Sequence, residues 1–124
     1  MAASVDRTDS TLVIGLGRFG SAVAATLDRL GREVLAVESN PTIVRQWTGR
    51  IPLVEADATD MEALDQLGAT EFGTAVVGVA TSLEASVLIT GNLVDLETPH
   101  IWAKAISRAH GRILRSAKDR KSVV

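Results

Sequence analysis

An apolar run from Thr11 to Ile14 breaks at once into Gly15-Leu16-Gly17-Arg18-Phe19-Gly20, and no other stretch restricts the fold of this chain so strongly. Three glycines at that spacing, after a strand and before a helix, make the turn on which dinucleotide-binding α/β domains hold a pyrophosphate. Gly15 permits the tight turn, Gly17 lets a pyrophosphate approach the backbone, and Gly20 allows close helix–strand packing. The helix start adds unpaired N–H groups and the positive end of a dipole, both suited to an anion. Arg18, inside the turn, offers guanidinium donors to phosphate oxygens.

The chain beyond the turn has the rhythm of a parallel α/β domain. Phe19, Val23, Leu27 and Leu30 recur at helical spacing, with Gly31 as the stop. Glu33 to Val37 reads as the second strand and closes at Glu38. Asn40-Pro41 starts a second helix, with Ile43, Val44 and Trp47 on its apolar side and Gly49 at its end. Pro52 to Glu55 is the third strand. Thr59 and Glu62 have the spacing of a capping box ahead of a helix carrying Leu64 and Leu67, which Gly68 stops. Ala75 to Val79 is a fourth strand without alternation, as expected for burial on both faces.

A second capping box, Thr81 and Glu84, leads into a helix from Ser82 to Leu96. Its apolar residues cover more of the circumference than a one-sided helix needs, so part of it is expected against another subunit. Pro99 to Ala103 is a fifth strand, Ser107 caps a last helix through Leu114, and Ser122 to Val124 begins a sixth strand. Residues 1 to 9 are small and polar and read as a disordered tail. Residues 10 to 124 form one domain: an α/β, Rossmann-like, doubly wound parallel sheet with helices on both faces.

In such a sheet, ligands bind at the carboxyl ends of the strands, where the strand order switches. The candidates follow those ends. Glu38 stands about 20 residues beyond the glycine turn, where an acid accepts hydrogen bonds from ribose hydroxyls. It also repels a 2′-phosphate, so NADP(H) is disfavoured, and Ser39 stands beside it. Asp57 and Ala58 follow the third strand, where a carboxylate and backbone groups can read an adenine amine. Thr81 follows the fourth strand and Lys104 the fifth, the latter able to meet phosphate or a carboxylate. The set for a cofactor is therefore Gly15, Gly17, Arg18, Phe19, Gly20, Glu38, Ser39, Asp57, Ala58, Thr81 and Lys104.

Composition removes other chemistries. The absence of cysteine excludes disulfides and thiolate sites, and a formal net charge of −2 gives no electrostatic reason to expect nucleic acid. No segment has the roughly 18 consecutive apolar residues of a membrane span, so membrane association is expected only through a partner. His100 and His110 have no acid partner in sequence, and the acids are not paired at metal-ligand spacing, so neither catalysis nor a metal is assigned. The basic residues from Arg108 to Lys121 lack interleaved aromatics and read as a solvated or subunit-contacting face.

Gly15-Leu-Gly-Arg-Phe-Gly20, Glu38, Ala56-Asp57-Ala58-Thr59, Val79-Ala80-Thr81 with Ala85-Ser86, and Ile101-Trp102-Ala103-Lys104-Ala105 together resemble the RCK (KTN, TrkA-N) domain. The resemblance spans about Thr11 to Leu114. It implies a cytosolic regulatory subunit of a potassium channel or transporter, of the Trk and Ktr type. Such a subunit senses NAD(H) or ATP/ADP, forms a homodimer or larger ring, and sits at the inner membrane through a pore-forming partner. By the same resemblance Arg18 meets phosphate, Glu38 ribose, Asp57 and Ala58 the adenine side, and Lys104 the pocket or a neighbouring subunit. Ser116 to Val124 replaces the usual exit toward a C-terminal RCK domain, which is expected to be absent. Two alternatives remain beside the sensor: the cofactor domain of an NAD-dependent dehydrogenase, and a dimerisation module with a vestigial pocket.

Overall fold

A computed structural model describes residues 9–79, 82–104 and 108–118. Five strands, β1 (Thr11–Ile14), β2 (Val34–Glu38), β3 (Leu53–Glu55), β4 (Thr74–Val77) and β5 (His100–Ala103), form one parallel sheet in the order β3-β2-β1-β4-β5. Among the described residues, four helices connect them, α1 (Arg18–Arg29), α2 (Pro41–Trp47), α3 (Met61–Gln66) and α4 (Leu83–Asp95), and α5 (Arg108–Lys118) follows β5. Chain order runs outward from β1 to β3 and then jumps back to β4, so the switch in strand order lies between β1 and β4. The glycine turn leaves β1 at that point.

The period-2 alternation of strand side chains distributes the apolar residues over two cores. Leu12, Ile14, Val37, Val77 and Ile101 pack with Leu64 of α3, Ile89 and Leu93 of α4, and Leu114 of α5. Val13, Ala36 and Val76 point the other way, toward Ala24, Val23 and Leu27 of α1 and Ile43 and Trp47 of α2. Both faces are covered over β1, β2 and β4, which explains why these strands read as continuous apolar runs. Beyond Val76 in register lies Trp102 on β5, 41% exposed.

Several boundaries differ from the expectations. Leu30 caps the end of α1 and is 67% exposed, because the helix ends before it can turn inward. The cap of α3 is Asp60, accepting from the Glu62 N–H, and not Thr59, whose hydroxyl and N–H are both bound to Asp57. A short 3-10 turn, Ala69–Glu71, follows Gly68. β4 closes at Val77, before Val79, because Gly78 turns away to lie against the glycine turn. The cap of α4 is Ser82, which accepts from the Ala85 N–H. α5 extends past Leu114 to Lys118. Thr81, Ser107, residues 1–8 of the N-terminal tail and the sixth strand over 122–124 lie outside the described residues.

Candidate functional site

The turn between β1 and α1 is built from backbone packed on backbone. Gly15 has φ +93°, in the left-handed region that favours glycine. A Cβ on Gly20 would overlap the Gly15 carbonyl oxygen. Gly78 completes the arrangement, for a Cβ there would stand 3.1 Å from the Gly20 Cα and 3.2 Å from the Gly15 oxygen. Its N–H donates to the Ile14 carbonyl at 2.7 Å. Gly17, the cap of α1, has no side chain to satisfy the first-turn N–H groups, which therefore remain available to an anion.

Glu38 ends β2 and is buried, and its carboxylate holds the turn in place. Oε1 accepts from the Leu16 N–H at 2.7 Å, and Oε2 from the Asn40 N–H at 2.9 Å. One residue thus ties the β1–α1 turn to the start of α2. Each carboxylate oxygen keeps a further lone-pair site, so Glu38 can still accept from a ligand hydroxyl.

Around this point the surface opens into a cleft of about 630 Å³. It is lined by Gly15, Gly17, Arg18 and Phe19 of the turn and α1, by Glu38, Ser39 and Asn40 after β2, by Gly78, Val79 and Ser82 after β4, and by Lys104 after β5. Lys104 Nζ lies 5.6 Å from the centroid of the Phe19 ring, within cation–π range. Arg18, the first residue of α1, is exposed. A smaller cavity of about 70 Å³ adjoins the cleft through Gly15, Glu38 and Ser39, and reaches Asp57, Ala58 and Thr59.

The loop from Ala56 to Asp60 is held from within and from outside. Asp57 Oδ1 accepts from the Thr59 N–H at 3.0 Å and from its hydroxyl at 2.7 Å, and these bonds lower the Asp57 pKa from its usual 3.8. From α4, the Asn92 amide donates to the carbonyls of Ala58 at 3.1 Å and Thr59 at 3.0 Å. Near the other end of that helix, buried His110 of α5 is 3.0 Å from the Ser86 hydroxyl, and burial lowers its pKa.

A glycine turn, an acid at the end of β2 and an Asp-Ala-Thr loop therefore share one crevice at the switch in strand order. The family model of the TrkA-N domain matches residues 11–123. This chain belongs to the TrkA-N family. The TrkA-N chain is 39% identical over 103 residues to Ktr system potassium uptake protein A of Bacillus subtilis, covering 82% of this chain and 46% of the relative. The corresponding protein of Vibrio alginolyticus is 32% identical over 104 residues, covering 83% and 47%. The chain thus spans about half the length of the curated relatives it matches. In fold it is similar to the TrkA-N domain of inner membrane protein ybaL from Escherichia coli (TM-score 0.81, 19% identity, 97% of this chain and 89% of that one). It is also similar to the GsuK channel bound to NAD (TM-score 0.81, 17% identity, 93% and 21%) and to GsuK bound to ADP (TM-score 0.79, 24% identity, 95% and 30%).

Of the residues expected at the site of this TrkA-N domain, Gly15, Gly17, Arg18, Phe19, Glu38, Ser39 and Lys104 line the larger cleft, and Asp57 and Ala58 the smaller cavity. Gly20 lies behind the turn as a packing residue. Glu38, expected to accept from ribose hydroxyls, also serves the backbone with both of its oxygens. The pattern of the sequence did not point to Gly78 or Asn92. Gly78 had a signal, a glycine at the end of an apolar strand. Asn92 had a fainter one, a polar residue of low helix propensity inside an apolar helix.

Proposed function

We propose that this chain is the nucleotide-sensing N-terminal RCK unit, over residues 10–124, of a potassium channel or transporter regulator, and that it has no catalysis of its own. The observation that carries the reading is the cleft itself. The uncapped start of α1, Arg18 and Lys104 offer positive potential to phosphates, while Glu38, lining the same cleft, offers acceptors to a ribose. Adenine then falls to the smaller cavity at Asp57 and Ala58. The ligand is NAD(H) or ATP/ADP, and the Glu38 charge opposes the 2′-phosphate of NADP(H). Kinship with Ktr potassium uptake proteins supports the transport setting.

No helix of the described residues is long and apolar enough to cross a membrane. The domain works in the cytoplasm, joined to the membrane by a pore-forming partner. Leu83 and Leu88 of α4 and Ile113 of α5 are 43%, 48% and 42% exposed, which supports pairing of subunits through these helices. A ligand gates the pore only by binding two subunit arrangements with different affinity. The test is equilibrium binding of NADH, NAD, ATP and ADP to the purified protein, with mass analysis of any nucleotide released on denaturation. Binding without turnover is expected. If none of the four binds, the reading is wrong.

A further inference from the structure

We infer that Asn92 is a positioning residue that sets the base specificity of the cleft; this rests on the nucleotide reading above. Asn92 lies inside α4, where asparagine is a poorer helix former than leucine. Both hydrogen bonds of its amide go to one loop, to the carbonyls of Ala58 and Thr59. Ala58 is buried, so without Asn92 its carbonyl would lack this partner in a place where an unmade bond is costly.

The consequence concerns what the loop presents to a base. Asn92 draws two carbonyl acceptors onto α4. Asp57 Oδ1 is occupied by Thr59, which leaves Asp57 Oδ2 as the carboxylate oxygen open to a ligand. An oxygen acceptor favours the exocyclic amine of adenine and opposes the carbonyl oxygen that guanine carries at the same ring position. With the Asn92 bonds removed, the loop can turn its carbonyls and shift Asp57, and that preference weakens. Asn92 need not touch the ligand.

The experiment titrates ADP and GDP calorimetrically against the wild-type protein, Asn92→Leu and Asn92→Asp. Leucine keeps the volume and favours the helix but donates nothing, and aspartate keeps the shape while facing two carbonyls with acceptors. The wild type is expected to prefer ADP. Both variants should weaken ADP about tenfold, equivalent to about 1.4 kcal/mol, while GDP affinity is retained. A purely structural role would lower both affinities together, and that result, or an unchanged ADP preference in a folded variant, overturns the assignment. Wild-type protein that binds ADP and GDP equally refutes the specificity role alone. Wild-type protein that binds neither refutes the nucleotide reading and this inference together.

Discussion

Replacing Glu38 by alanine separates its two duties, because one of them exists without any ligand. The substitution removes a 2.7 Å bond to the buried Leu16 N–H and a 2.9 Å bond to the Asn40 N–H. A hydrogen bond to a charged group is worth about 1.5–3 kcal/mol, and the buried Leu16 donor would be left without a partner. Asn40 is exposed, so water replaces most of the second bond, for a loss of about 0.5–1 kcal/mol. Relief from burying a carboxylate offsets part of the sum, so the net destabilisation is about 2–3 kcal/mol. At about 4 °C per kcal/mol for a domain of this size, Tm falls by about 8–12 °C. Urea unfolding of the nucleotide-free protein measures this directly, with an unchanged m-value showing that stability rather than compactness has altered. Glu38→Gln should lie between, since its amide oxygen serves one N–H while its nitrogen faces the other. Apo stability within about 0.5 kcal/mol of wild type would mean that Glu38 serves only the ligand, and the structural argument would fail.

Gly20→Ala should destabilise the fold by more than about 2 kcal/mol, because its methyl would overlap the Gly15 carbonyl oxygen and helix and strand must separate; wild-type Tm would refute this. His110 is held neutral by burial, with its pKa below the usual 6.5. Its contribution to stability is therefore complete above about pH 6.5 and falls as pH drops toward the folded-state pKa, where the unfolded chain takes up the proton. Denaturant titrations from pH 8 to 5 should show that slope, and His110→Gln should lose it. Leu88→Glu should reduce self-association in sedimentation while leaving monomer stability within about 0.5 kcal/mol, since Leu88 is 48% exposed; unchanged association would exclude this face.

Strand and helix order, the turn at Gly15 to Gly20 and the acid at Glu38 were all open to reading from the chain itself, because they rest on local rules. Period-2 and period-3.6 apolar spacing reports which side of an element is buried, and glycine reports a backbone that excludes a Cβ. The caps were less accessible. Thr59 satisfies the capping-box spacing, but the carboxylate of Asp60 holds the start of α3, because adjacent candidates compete and three-dimensional geometry selects one.

Contacts across long separations belong to the tertiary structure alone. Gly78 meets Gly20, Glu38 holds Leu16, Asn92 holds Ala58 and Thr59, and His110 meets Ser86, at separations of 22 to 34 residues for the side-chain bonds. Local spacing along the chain is enough to specify a parallel α/β domain with a phosphate-type turn and an acid about 20 residues later. Only the packed sheet decided that this acid braces the turn and that a helix asparagine anchors the Asp57 loop. The physical reason is that a hydrogen bond depends on distance and direction, and neither is encoded in spacing along the chain once the partners lie on different elements.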